Sequence, residues 1–241
     1  MGPRCLAIAL LAWSGTALAE DLIVIESNAP GLANGTVVAD GNAIEVPAGA
    51  KVVLVGMSGK TVPLSGPYKG VPSAGSGKSD SRLTAVVASL LQPRQEETGS
   101  VGAVRAIDWR KDHVKTAGDV MLLDAGQSGT QCAADAKQAA LTRNPAAAAD
   151  KVVLMSADNG ATETLSWPIG KPSLAWPAGV PLEDGNTYLV ELPPQSAVTQ
   201  FTVKLLNKPA ANDVERAVQL SEAGCKAQAL LMLSVVAKGA K

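Results

Sequence analysis

The segment Pro72–Ser81, PSAGSGKSDS, holds the residues most suggestive of chemistry. Gly77-Lys78-Ser79 matches the end of a phosphate-binding loop, G-x-x-x-x-G-K-[ST], in which backbone N–H groups and a helix N-terminus cradle phosphates. The first glycine of that pattern falls at position 72, which is Pro72. The preceding SGPYKGVP is not the buried strand such a loop leaves, and no later apolar strand ends in an Asp that reads as a magnesium-holding partner. The run therefore reads as a Gly/Ser linker followed by a helix cap, and no nucleotide is expected.

Other catalytic patterns are equally incomplete. His113 is the only histidine, so a Ser-His-Asp triad would have to use it, yet it lies in the charged segment DWRKDHVKT. No G-x-S-x-G elbow exists; GQSGT and GMSGK have the wrong spacing. A zinc site needs three or four His, Cys or acidic ligands, more than one His and two Cys supply. Asp158, Asn159 and Glu163 in SADNGATE faintly echo a calcium loop, but a hairpin turn explains them better. Acidic pairs for glycoside hydrolysis occur in almost any chain and carry no weight alone. No catalytic, metal or cofactor residue is assigned.

The tryptophans are more distinctive. Trp167-Pro168-Ile169-Gly170 and Trp176-Pro177-Ala178-Gly179 repeat W-P-x-G nine positions apart. Trp167, Trp176 and the nearby Tyr188 are candidate ligand-binding residues, because exposed aromatic rings at loop tips stack on sugars or peptides. The favoured alternative is that they fill a core otherwise short of aromatics, only 3% of the chain. Of three cysteines, Cys5 belongs to the leader described below. Cys132 and Cys225 remain as an even pair, expected to form a disulfide in an oxidising compartment; two separate buried thiols are the competing reading.

These residues need elements to position them. Residues 20–71 read as a small β domain: LIVIES and KVVLVG are apolar strands, and Asn34-Gly35, Asp40-Gly41 and Ser58-Gly59 are tight-turn signals. Asn34-Gly35-Thr36 also fits a glycosylation acceptor, although a turn explains Asn-Gly equally well. Pro63 in KTVPLSGP marks an edge strand or a bulge, and such an edge could accept a partner's strand. Residues 72–100 read as linker plus helix, with Leu83, Val86, Val87, Leu90 and Leu91 at helical spacing, a cap among Ser79, Asp80 and Ser81, and a stop at Pro93. Residues 101–206 read as a β-sandwich-like domain with strands VGAVRAI, GDVMLL, KVVLMSA, TETLSWP, NTYLVEL and AVTQFTVKLL. CAADAKQAALTRNPAAAADK suits a short helix or helical loop. Residues 207–241 read as a helical hairpin, capped at Asn212 or Asp213, broken at Gly224 and packed on the second domain. The class is α+β, mainly β.

The beginning of the chain suggests a location. Arg4, an apolar stretch Cys5–Trp13 and the small residues up to Ala17-Leu18-Ala19 have the order of a secretory signal peptide, residues 1–19, cleaved after Ala19. There is neither a twin-Arg motif nor a cysteine at the cleavage point, and no later stretch reaches membrane-spanning length. The expectation is a periplasmic or secreted protein with no membrane span. The chain carries 21 Lys+Arg against 22 Asp+Glu; without Arg4 the balance is 20 against 22, a net charge of −2, which disfavours nucleic acid as a partner.

NGTVVADGNAIEVPAGAKVVLVGMSGKTVPLSGPY resembles the β-rich motif of FecR-type periplasmic domains, with short strands around G-x-x-l, a-G-x-x-v-x-l and G-k-x-v-x-l. LAWPAGVPLEDGNTYLVEL and LSEAGCKAQALLML together resemble uncharacterised secreted proteins of Gram-negative bacteria. The resemblance implies a β fold in the cell envelope and transfers no site residue. Two function classes follow. The favoured one is a non-catalytic envelope interaction or accessory protein with an envelope-protein partner. The other is a glycan- or peptide-binding module or envelope hydrolase using the Trp-Pro loops with Glu163, Glu183 and Asp184.

Overall fold

The computed structural model describes residues 20–75, 80–92, 110–144, 150–193 and 198–240. The expected signal peptide, Gly77-Lys78-Ser79, Pro93 and the expected strand VGAVRAI lie outside these residues. The class is α+β with β predominating, 32% strand to 24% helix.

The N-terminal strands are apolar on both faces because both faces are covered. β1 (Leu22–Ser27), β2 (Val37–Val38), β4 (Lys51–Gly56) and β5 (Thr61–Ser65) form an antiparallel sheet in the order β2-β1-β4-β5. Leu22, Val24, Val52 and Leu54 face a small core shared with β3 (Ile44–Val46), which pairs with β6 (Tyr68–Gly70). Ile23, Ile25, Val53 and Val55 face the helices instead. This explains why LIVI and VVLV read as unbroken apolar runs rather than alternating ones. Pro63 sits in β5 at the sheet's edge, where its missing N–H costs no ladder bond.

Helix α1 (Ser81–Leu91) starts at Asp80, whose carboxylate accepts from the N–H groups of Arg82 and Leu83 at 3.0 and 3.3 Å. It stops at Gln92, which is extended, as the residue before a proline prefers. Helices α3 (Asp213–Glu222) and α4 (Lys226–Gly239) flank Gly224, whose φ of +87° admits glycine almost alone. Asn212 caps α3.

These C-terminal helices reach further than the expected packing on the second unit. Val214, Val218, Leu231 and Met232 share one core with Val87 and Leu90 of α1 and with Ile23 and Val55 of the first sheet. The same core takes in Cys132 and Leu206 of the second unit. The hairpin therefore roofs the first sheet and meets the second.

The second unit has a five-stranded sheet in the order β11-β10-β13-β14-β8: β11 (Thr162–Ser166), β10 (Lys151–Ser156), β13 (Thr187–Glu191), β14 (Val198–Leu205) and β8 (Gly129–Ala133). Only β14 and β8 run parallel. A three-stranded sheet, β12-β9-β7, comprises Ser173–Ala175, Ala140–Thr142 and Leu123–Asp124. Leu123 and Leu141 from the small sheet and Leu154, Val190, Phe201 and Val203 from the large one bury into a common core.

Two local expectations change. GDVMLL is not one strand: Ala117–Val120 is a short helix, α2, before β7. Thr116 and Asp119 form a reciprocal capping box there, which nucleates a turn that the apolar pattern alone does not show. The segment read as helical, CAADAKQAALTRNPAAAADK, holds one 3₁₀ turn at Ala136–Gln138 but also the end of β8 and all of β9. Alanine's helix preference is overridden by pairing across the sheet.

Candidate functional site

The repeated W-P-x-G motif forms two turns of the same build. Trp167 Nε1 donates to the Lys171 carbonyl at 3.0 Å, and Trp176 Nε1 to the Val180 carbonyl at 2.6 Å. Each indole thus closes the turn it begins, four residues on. Trp167 is 0% exposed, and the Arg143 guanidinium covers its ring at 4.5 Å from the centroid. Arg143 also donates to the carbonyls of Trp167 and Pro168 at 3.0 and 3.3 Å. Trp176 is half-buried and meets Tyr188 edge to face, centroids 4.9 Å apart. Tyr188 is fully buried; its hydroxyl donates to the Pro181 carbonyl at 2.8 Å and accepts from the Glu183 N–H at 2.9 Å. Trp167 and Tyr188 therefore present no open ring to a ligand, in contrast to the loop-tip platform considered from sequence. Their rings and their polar atoms are spent on the core.

The neighbouring acids are also engaged locally. Glu183 accepts from Asn186, and Asp184 accepts from the Leu205 N–H. Asp158 accepts from the Thr187 N–H at 2.6 Å, and Asn159 Oδ1 accepts from the Ala161 N–H at 2.9 Å. The SADNGATE segment is thus a side-chain-braced hairpin turn.

A second cluster sits where the two units meet. Cys132 in β8 and Cys225, just before α4, are disulfide-bonded, with Cα atoms 5.9 Å apart. Both are fully buried. Beside them the Gln228 side chain copies a strand: its Oε1 accepts from the Cys132 N–H at 2.6 Å and its Nε2 donates to the Cys132 carbonyl at 2.8 Å. Nε2 also reaches the Val120 carbonyl at 2.9 Å. Gln131 treats β7 in the same way, accepting from the Asp124 N–H at 2.6 Å and donating to the Asp124 carbonyl at 2.9 Å.

Arg110 is buried in the same region and donates from Nη2 to the carbonyls of Asp119, Val120 and Leu122. Asp119 and Val120 are the last two residues of α2, and Leu122 stands just before β7. Burial lowers the Arg110 pKa, opposed by attraction to Asp124 and Asp119. Asp124 is 0% exposed. Burial raises its pKa to about 6, against the pull of Arg110 and the Gly126 N–H. At Asp119, burial acts upward but is outweighed by bonds from the N–H groups of Lys115 and Thr116, so its carboxyl lies below the usual value.

A groove of about 930 Å³ opens between the β4–β5 turn at Ser58-Gly59, the start of α3 and the end of α4. Asp112, Lys115, Asp213 and Lys238 line it, a mixed-charge rim. Asp213 is paired with Arg216 at 2.8 Å, and Lys238 with the Lys111 carbonyl. His113 is exposed on the neighbouring helical turn at residues 110–113. Among the described residues, no three His, Cys, Asp or Glu side chains are placed to hold a metal ion.

Gln131, Gln228, Arg110 and Asp124 were not singled out from the sequence. A glutamine on a helix or strand reads as a surface residue, and only the tertiary structure shows which backbone it meets. No family model, no curated protein and no solved structure matches the chain, and nothing in these comparisons links it to FecR-type domains.

Proposed function

We propose that the protein is a non-catalytic interaction or accessory protein of the cell envelope, working in an oxidising compartment after removal of residues 1–19. One observation carries this reading. The buried side chains with chemical potential bond to the protein's own backbone: Arg110, Arg143, Gln131 and Gln228 to main-chain groups, Tyr188 and Trp167 likewise. Such groups at a reaction centre would converge on an open site; here they fix strands, turns and helix ends. The chain invests in a rigid scaffold, and its open surfaces include a mixed-charge groove and sheet edges. The buried disulfide fits an extracytoplasmic location.

The test uses the full chain with a tag after Lys241, crosslinked in living cells and purified from the envelope fraction. The expected result is a mature chain starting at Glu20, no free thiol, and one dominant protein partner. An unprocessed chain with reduced cysteines in the cytoplasm would overturn the location. Recovery of the protein alone, or with glycan fragments only, would overturn the interaction role.

A further inference from the structure

The strand edges of this fold are not treated alike. At the edge of the first sheet, Gly56 N–H bonds to the Lys60 carbonyl and Gly66 N–H to the Ala50 carbonyl, so even-numbered β5 residues face β4. Residues 61, 63 and 65 face outward, and the middle one is Pro63, which has no N–H to offer. β8 is closed by Gln228, which occupies both the N–H and the carbonyl of Cys132. β7 is closed by Gln131 on Asp124 in the same way. β2 has two residues, and β12 has three, set between Pro172 and Pro177. These are the usual ways a protein blunts an edge against unwanted pairing.

β11 has none of them. Ser156 N–H bonds to the Ala161 carbonyl and Trp167 N–H to the Asp150 carbonyl, so odd-numbered residues face β10. The N–H and carbonyl groups of Thr162, Thr164 and Ser166 point outward, and their side chains are exposed. The strand is five residues long, without proline or lysine, at the end of the five-stranded sheet. Between the outward positions stands Glu163, half-buried and without an ion pair among the described residues. Its carboxylate lies against Gly179 of the second W-P-x-G turn, and a side chain at position 179 would make it shift. The turn thus holds a negative charge beside an open strand edge.

We propose that the outer edge of β11 docks an extended segment of another protein, which adds to the sheet as a sixth strand and sets a lysine or arginine beside Glu163. The main-chain groups of Thr162, Thr164 and Ser166 supply the pairing, and Glu163 supplies the selection. A second copy of this chain is the poorer occupant. Antiparallel pairing about Thr164 or Glu163 brings the two Glu163 carboxylates diagonal or directly opposite, where like charges repel. This proposal rests on the interaction reading above and narrows it to one edge.

The probe is a phage-displayed library of random 12-residue peptides, selected on the purified, disulfide-bonded protein. Selected peptides are expected to be strand-forming, with Lys or Arg at one fixed position. Their binding should protect the amides of Thr162, Thr164 and Ser166 from hydrogen exchange. Thr164→Pro removes the central outward donor without touching the ladder to β10, and should weaken binding at least tenfold. Glu163→Lys, a second variant should the first not fold, should abolish the basic preference and weaken binding to a similar degree. An empty selection, protection of another segment, or unchanged affinity in a folded variant would overturn the edge as the docking site. The in-cell crosslinking above judges the interaction role separately, since a partner recovered there can sit elsewhere.

Discussion

Asp124→Asn should change how stability depends on pH, and the direction can be worked out. Asp124 is fully buried, and burial lifts its pKa from 3.8 to about 6. The folded state therefore binds a proton that the unfolded state has already released over that interval. Its contribution to stability is greatest below the unfolded value and is lost as pH rises through about 6. At roughly 1.4 kcal/mol per pKa unit the whole effect is about 3 kcal/mol, of which roughly three-quarters falls between pH 4 and pH 7. Asparagine cannot titrate but keeps an oxygen for the Gly126 N–H. The attraction to Arg110 acts only on the ionised carboxylate and is already contained in that pKa, so the pH-dependent difference reports the titration of Asp124. The assay is urea unfolding of both proteins, disulfide intact, at half-unit steps over that range. Stability of the variant relative to wild type should climb by about 2 kcal/mol from pH 4 to pH 7. A flat difference, or one that falls, would refute the reasoning that burial dominates over Arg110 at this carboxyl.

Other substitutions probe the junction and the turns. Gln228→Met keeps the volume but leaves the Cys132 N–H, the Cys132 carbonyl and the Val120 carbonyl without their partner, and should cost about 2–4 kcal/mol in chemical unfolding. Replacing both Cys132 and Cys225 by Ala opens a closure spanning 93 positions and should lower stability by about 2–5 kcal/mol, read in the same assay. Trp167→Phe removes the bond to the Lys171 carbonyl and should cost about 1–3 kcal/mol, with a native far-UV spectrum at low temperature. Gly35→Ala combines a φ of +86° with a methyl 2.9 Å from the Ala88 carbonyl oxygen, so its thermal midpoint should drop well below that of Gly31→Ala, where φ is +78° but space is open.

Legibility in the sequence followed how local the cause was. KVVLVG coincides with β4, Asp80 does cap α1, and Gly224 does divide the C-terminal helices, because each is dictated by neighbours within a few residues. β8 was missed because GTQCA is short, and its partner β14 pairs in parallel from some seventy positions away, Thr130 beside Thr202. β9 was hidden in an alanine-rich run for the same reason. The cysteine pair was legible by counting, while the glutamines that flank it were not, since their role depends on strands distant in sequence. The W-P-x-G repeat was visible as a pattern, but only the structure shows that each indole bonds the carbonyl that ends its own turn.

The disulfide also alters the connectivity of the chain. Residues 132–225 form a covalent ring that holds β9–β14 and α3, while the first sheet and α1 lie before it and α4 beyond it. A single proteolytic cut anywhere inside the ring leaves one covalently continuous molecule. Tension applied between Glu20 and Ala240 enters the end strand β8, leaves through the sulfur bridge at Cys132 and bypasses the other four strands of the large sheet. The strand edge on that sheet can thus stay assembled while the ends of the protein are under load.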